Sequence, residues 1–489
     1  MDKKAYYLQR AQEASCPLFP ETVYPREEVS HLRLSEGDCI TLDFGNHYVG
    51  HVQLELDCEG CHPDAPVWLE LRFAEREREL REDPNNYHGS LSRSWIQIAQ
   101  LHVDVIPSLV QVPRRYAFRY MQLKILGMSS RFRLKINSVS CTAQTSADDR
   151  ALKPYRGDPR YARLDAIACR TLRECMQEVF EDGPKRDRRL WMGDLRMQAL
   201  VNYETYGNLE LVKKCLYLFA AAARADGGIP GCLFTQPRVA ADDGVMFDYS
   251  LLFLPTLLDY YRASADRQTL EDLAPLGLKQ IRILSPCFRD DLAKEEEELG
   301  CWCFLDWTEG LDKQAGAQGV YLYSLKAAME VARLLGREDW AAALEEDYAR
   351  KHAAAERLWD PQLQLYVSGA KRQISWASQI WMILGGAAHG DGALLDRVAQ
   401  YSGACGMITP YMHHIYLDAL IAAGRREQAL QELVHYWGGM ADAGADTFWE
   451  IYDPEAPDTT PYGDTIITSY CHAWSCAPAY FLRRIFTED

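Results

Sequence analysis

No apolar run in this chain approaches the ~18 residues that a membrane-crossing helix needs. The longest, Tyr249 to Tyr261, is broken by Pro255 and Asp259. Positive charge is also scarce: 53 lysines and arginines stand against 70 acids, a formal net charge of −17. Such a field repels phosphate backbones, so neither nucleic acid nor an anionic membrane is expected as a partner. The N-terminal stretch Met1 to Ser15 has basic residues but no apolar segment, so it does not read as a secretory signal. Nor is there a disulfide or metal framework. The 15 cysteines are odd in number and scattered, which suits a reducing cytoplasm better than a secreted, cross-linked domain. Cys58 and Cys61 form a CxxC pair, but no second pair and no HxxxH follows, so no zinc site is expected. The Cys301-Trp302-Cys303 triplet reads as a strand or loop with buried thiols. At 489 residues the chain is long enough to hold several domains without covalent staples.

What the sequence does have is aromatics, with 12 Trp and 27 Tyr, and two clear periodicities. Up to about residue 145 the apolar residues alternate. Ile40, Leu42 and Phe44 interleave with Thr41 and Asp43, and Val67, Leu69, Leu71 and Phe73 with Glu70 and Arg72. That period of two predicts an antiparallel β-sandwich over residues 1–145. The charged stretch Glu75 to Asp83 reads as an exposed loop. From Tyr161 the spacing turns helical, with twelve helices beginning near 158, 191, 209, 248, 267, 317, 337, 374, 391, 408, 425 and 466. Twelve helices joined by long polar and aromatic loops predict an (α/α)6 toroid over 146–489. Its six inner and six outer helices alternate, and loops at one end surround a cavity. The acidic run Glu295 to Glu298 reads as a solvated face.

Four segments carry the chemistry. The densest is Glu181 to Asp194, EDGPKRDRRLWMGD, between two predicted helices. A Trp beside carboxylates offers a sugar both a stacking face and hydroxyl acceptors. The plain alternative is a charged loop held by ion pairs. The second is Asp446 to Asp453, where Glu450 lies among Phe448, Trp449, Ile451 and Tyr452. A carboxylate in apolar surroundings is costly unless it is partnered or functional. The third, Cys471 to Ser475, falls early in the last predicted helix and contains His472, which alone would read as a satisfied core residue. The fourth sets Asp306 beside Trp307. Two carboxylates from distant loops, Asp187 and Glu450, are the pair that glycoside hydrolysis requires: one acid for the leaving oxygen, one base for water.

These residues resemble a known family. The run from Asp182 to Asp194 is similar to the signature of the α-L-rhamnosidases of glycoside hydrolase family 78. So, in order and spacing, are Asp306-Trp307, DTFWE (Asp446 to Glu450) and SYCHAWSCAPAYFL (Ser469 to Leu482). Leu42 to Leu56 and Leu71 to Glu75 resemble the accessory sandwich that precedes the catalytic domain in such enzymes. The resemblance implies inverting hydrolysis inside an (α/α)6 barrel. Asp187 then takes the general-acid position, usually a glutamate in the family, with Asp182 as the fallback acid. Glu450 takes the general-base position. Asp182 and Asp194 are implied to hold sugar hydroxyls. Trp191, Trp307 and His472 are implied to contact the sugar, with Trp376 and Asp306 as further substrate-binding residues. Many members carry a further C-terminal β-sandwich, whereas this chain ends at Asp489, just after the last predicted helix.

The expected partner is a small glycoside, with neither metal nor organic cofactor. Two other readings stay open: another (α/α)6 sugar hydrolase of α-glucosidase or unsaturated uronyl type, and a silent sugar-binding scaffold. For single residues the plain alternatives are loop salt bridges for Asp187, a helix cap for Asp194, and core packing for Trp191, Trp307 and Trp474. Tyr411, His413 and His414 could edge the cavity. The sequence leaves the oligomeric state and the aglycone undetermined.

Overall fold

A computed structural model describes residues 2–242 and 244–487. Eight antiparallel strands form the first region: β1 (Phe19–Val23), β2 (Arg33–Leu34), β3 (Cys39–Gly60), β4 (Val67–Ala74), β5 (Ile98–Val103), β6 (Ser108–Gln111), β7 (Tyr116–Gly127) and β8 (Phe132–Thr145). Their order is β1-β8-β3-β7-β4-β5, with β2 beside β8 and β6 beside β3. Strand β3 serves both leaves of the sandwich. Its residues 39–50 pair with β7 and its residues 50–60 with β8. The switch falls at Gly50, opposite both Tyr116 and Ala143. A Cβ there would collide with the Thr142 carbonyl and the Ala143 Cα, so only glycine fits. The alternation read from the sequence is the observed one: Leu42, Phe44, Val67, Leu69, Leu71 and Phe73 all point into the sandwich core.

The helical region alternates as expected for a toroid. Outer helices α2 (Ala162–Cys175), α4 (Leu209–Ala221), α6 (Arg267–Ile283), α9 (Glu338–Ala355), α11 (Asp391–Gln400) and α13 (Arg426–Asp442) each precede an inner one. The inner helices are α3 (Met192–Glu204), α5 (Phe247–Ser264), α8 (Gln314–Leu334), α10 (Trp376–Gly385), α12 (Pro410–Ala422) and α14 (Ala477–Tyr480). The inner helices neighbour one another in that order, and the Ala473–Tyr480 segment closes the ring back onto α3. Burial separates the layers: eleven of thirteen residues of α3 are buried, against four of eighteen in α9. Side chains start the helices where the sequence offers caps. Asn208, Asp266, Ser375 and Thr409 each accept a backbone N–H of the first turn. A short helix α7 (Glu296–Leu299) carries the acidic run, whose Glu296, Glu297 and Glu298 are exposed.

Three readings need correction. Residues Lys3–Glu13 form a helix, α1, that packs on α4 of the barrel rather than on the sandwich. Tyr6 and Tyr217 both donate to Asp272 Oδ2, at 2.7 and 2.6 Å. The last helix begins at Ala477, not near 466, so His472 precedes it. The N–H groups that a helix would need are drawn off to distant partners. Ser469 donates to Glu450, Tyr470 to Glu75, His472 to the Phe448 carbonyl and Ala473 to the Asp182 carbonyl. Third, Glu75 to Asp83 is not simply an exposed loop. Glu75, Glu79 and Leu80 are buried against the barrel.

Candidate active site

The residues that gather at one end of the barrel come from segments at or just before the starts of inner helices. Asp182, Arg186, Asp187, Trp191 and Asp194 belong to the approach to α3 and its first turn. Met246 and Tyr249 lead into α5, and Trp302, Phe304 and Trp307 precede α8. Glu450, Tyr462, His472 and Trp474 precede α14. Together they line one pocket. Trp191, Met246 and Trp302 also line an adjoining groove.

The loop from Gly183 to Arg188 is tight. Asp187 and Arg188 both have left-handed backbones, at φ 65° and 54°, and the Arg188 N–H returns to the Gly183 carbonyl. This turn directs consecutive side chains to different places. Lys185 is buried toward the sandwich. Arg186 is buried toward Glu450: its Nη2 is paired with Glu450 Oε2, its Nε donates to the Ile467 carbonyl at 3.0 Å, and its Nη1 lies 3.6 Å from Asp187 Oδ1. Asp187 is partly exposed, with 21% of its side chain accessible. Arg188 lies near Arg115 and Glu181. Burial first, and then Arg115, pull its pKa down to about 10.

Glu450 is almost fully enclosed. Besides Arg186 it accepts the Tyr462 hydroxyl on Oε1 and the Ser469 N–H on Oε2. Burial alone would raise its pKa, but Arg186, His472 and the Tyr462 hydrogen bond outweigh it and hold the carboxyl below its usual value. Two other carboxyls of the pocket behave the other way. Asp182 is raised well above the usual aspartate value by burial and by the charges of Asp187 and Asp194, despite the Arg189 N–H on its Oδ1. Asp194 is raised by burial and partly relieved by His472, whose Nε2 lies 3.3 Å away. Apart from that close approach to each other, Asp194 Oδ1 and both ring nitrogens of His472 find no hydrogen-bond partner among the described residues. Asp194 therefore does not cap α3; its carboxylate faces the pocket.

Aromatic rings form the rest of the wall. Trp191 meets Tyr249 edge-on at 6.2 Å, Phe304 packs on Trp307 at 5.2 Å, and Trp307 on Tyr462 at 6.0 Å. Trp474, read from the sequence as core, lines the pocket and donates its Nε1 to the Glu450 carbonyl at 2.9 Å. Trp302 is 43% exposed at the rim, while of its flanking thiols Cys303 is buried and Cys301 partly so. Two expected residues fall outside the pocket. Asp306 is buried, with its oxygens taken by the Ile408 and Thr409 N–H groups and the Thr308 and Thr409 hydroxyls, so it braces the Trp307 loop against α12. Trp376 packs edge-on against Tyr416 at 5.2 Å. Of the edge candidates, Tyr411 packs on Phe304 and Trp474 behind the lining. His413 stacks on Tyr436 and His414 on Tyr480. Tyr249, Phe304, Tyr462 and Met246 were not expected. Met246 and Tyr249 sit at the start of a helix that reads as core, and the isolated Phe304 and Tyr462 carry no signal of their own.

Two family models account for most of the chain. Residues 10–143 match the N-terminal domain of glycosyl hydrolase family 78 alpha-rhamnosidases, and residues 157–486 match the bacterial alpha-L-rhamnosidase six-hairpin glycosidase domain. The chain belongs to glycoside hydrolase family 78. A rhamnosidase from Klebsiella oxytoca, solved with rhamnose bound, is 40% identical over 98% of both chains, with a TM-score of 0.94. More distant structures share the fold. The family 78 rhamnosidase of Bacillus sp. GL1 is 22% identical over 92% of this chain and 47% of its own (TM-score 0.79). The Streptomyces avermitilis α-L-rhamnosidase, solved with L-rhamnose, is 20% identical over 96% and 44% (TM-score 0.69). The chain thus spans about half of these larger family members. No curated protein matches it. The family and the fold make the chain a glycosidase of the rhamnosidase class, with a sandwich followed by an (α/α)6 barrel.

Proposed function

We propose that the chain removes terminal α-L-rhamnosyl residues from small glycosides with inversion, Asp187 acting as general acid and Glu450 as general base. The observation that carries this reading is the Arg186 guanidinium, which lies against both carboxylates in a pocket walled by Trp191, Trp307 and Trp474. Glu450 already accepts three of the roughly four hydrogen bonds a carboxylate can take, leaving one site for a water. That ionised oxygen takes the water's proton as the water oxygen attacks C1. The C1–O bond breaks on the opposite face, and the leaving oxygen receives the Asp187 proton. Inversion requires roughly 6.5–9.5 Å between the two carboxyl groups, room for the water. Asp187, the more exposed acid, suits a leaving group that emerges into the groove beside Trp302. Asp194 and His472, with their unpaired polar atoms, suit sugar hydroxyls at the closed end.

A second assignment has one observation in its favour: Asp182 is the acid whose pKa is pushed up most strongly, and a neutral carboxyl is a ready donor. Proton NMR during turnover tests the main reading, which expects β-L-rhamnose as the first anomer; α-L-rhamnose first would overturn it. Comparing Asp187→Asn with Asp182→Asn on a poor alkyl leaving group separates the two acids. The acid's variant loses far more rate there than on a nitrophenyl glycoside. Detection of the protein in supernatant without lysis would overturn the cytoplasmic reading, which rests on the unpaired thiols.

A further inference from the structure

The acidic turn after β4 ends in the barrel mouth. Glu75 and Glu79 are 1% and 4% exposed. Glu79 Oε1 accepts the N–H groups of Glu75 and Arg76, at 3.0 and 2.7 Å. Its Oε2 takes Lys185 Nζ at 2.5 Å. The same ammonium donates to the Thr468 carbonyl at 2.9 Å and lies 3.9 Å from Glu75 Oε2. Glu75 in turn accepts the Tyr470 N–H at 2.6 Å on Oε2, and its Oε1 lies 3.0 Å from His47 Nε2. One pair of sandwich carboxylates therefore grips both loops of the site. Lys185 adjoins Arg186, and Thr468–Tyr470 brackets the Ser469 N–H that holds Glu450. From the same turn, the Arg76 guanidinium lies 4.2 Å over the ring of Trp449, the residue before Glu450.

A buried ammonium is tolerated only when paired. A turn with two left-handed non-glycine residues persists only when its surroundings over-determine it. Lys185 meets both conditions with counter-charges that come from the sandwich, Glu79 and Glu75, while its bond to the Thr468 carbonyl ties it to the barrel. We propose that Glu79, seconded by Glu75, is a positioning residue of the hydrolytic centre. Through Lys185 it fixes the 183–188 turn so that Arg186 spans Glu450 and Asp187. The sandwich is then part of the active site rather than an appended module. This rests on the reading of Glu450 as the base.

The test uses the full chain with Glu79→Gln, Lys185→Met and the double variant, measured for melting temperature and for kcat and KM on nitrophenyl α-L-rhamnoside. Either single change strands a buried charge and is expected to lower the melting temperature. The double change strands none, so its melting temperature should return toward wild type. A merely structural pair would then recover its activity as well. The positioning role predicts that the double variant stays roughly 10–100-fold down in kcat, the scale of a misplacement of about 1 Å, with KM within about threefold. A well-folded double variant with wild-type kcat overturns the proposal. Glu450→Gln is run alongside. If that variant still turns over, the base assignment fails; if it is inactive while the double variant runs at the wild-type rate, only the anchor fails.

Discussion

Two segments of the pocket supply the same kind of group and hold it in opposite states. In the approach to α3, Asp182, Asp187 and Asp194 lie close together, and burial pushes Asp182 and Asp194 toward the neutral form. In the approach to α14, Glu450 is as deeply buried, yet Arg186, His472 and Tyr462 keep it charged. Burial is common to both; the neighbours decide the sign. A hydrolase needs a proton on one side of the bond and a charge on the other, and here Arg186, His472 and Tyr462 hold the charge on Glu450.

The contrast can be broken most severely at Glu450. Glu450→Gln keeps the shape and removes the charge, and kcat should fall about a thousandfold or more with the fold intact by circular dichroism. Arg186→Met should cost about a hundredfold and should also move the pH profile. With its counter-charge gone, burial dominates Glu450 and its pKa rises, so the acid limb of kcat/KM shifts to higher pH. An unmoved limb would show that the limb belongs to another group. In the approach to α3, Asp194→Asn should raise KM about tenfold, in keeping with loss of one hydrogen bond to the sugar, and leave kcat much less changed. The smallest effect concerns a carboxyl outside the pocket. Asp418, near Arg196 and Asp259, is pushed up to about 6 by burial, partly offset by Arg196. A raised carboxyl pKa means stability that is lost as pH rises from about 3.8 to about 6. Asp418→Asn should therefore gain about 1 kcal/mol over wild type at pH 8 and less at pH 5, by thermal denaturation.

Much of this was legible in local sequence, because the relevant physics is local. Alternation placed the sandwich strands, and a period of 3.6 with capping residues placed eleven of the twelve helix starts within a few residues. Glu450 stood out because an acid among aromatic and apolar neighbours is costly without a purpose, and Asp187 because it lies in the dense polar run that resembles the family signature. What escaped the sequence depends on contacts across hundreds of residues. Nothing near Lys185 announces that its partner is Glu79, and a run of charges such as Glu75 to Asp83 reads as solvated until the barrel covers it. The helix expected near 466 has the right composition, but tertiary partners claim its N–H groups. Asp306 shows the limit of motif reasoning: an acid beside Trp that proves to be a brace.

The position of α1 bears on how the molecule comes apart. The chain starts on the barrel, leaves to build the sandwich, and returns at α2, so the sandwich is tied at both ends, and by Lys185 and Arg119 between them. Cutting at the apparent boundary near residue 145 would strip α4 of the helix that covers it and would leave Lys185 buried without its counter-ion. The two regions look separable in a drawing of the topology but share one unfolding event, and calorimetry should record a single heat-absorption peak. For anyone shuffling domains among such hydrolases, the unit to exchange is the whole chain.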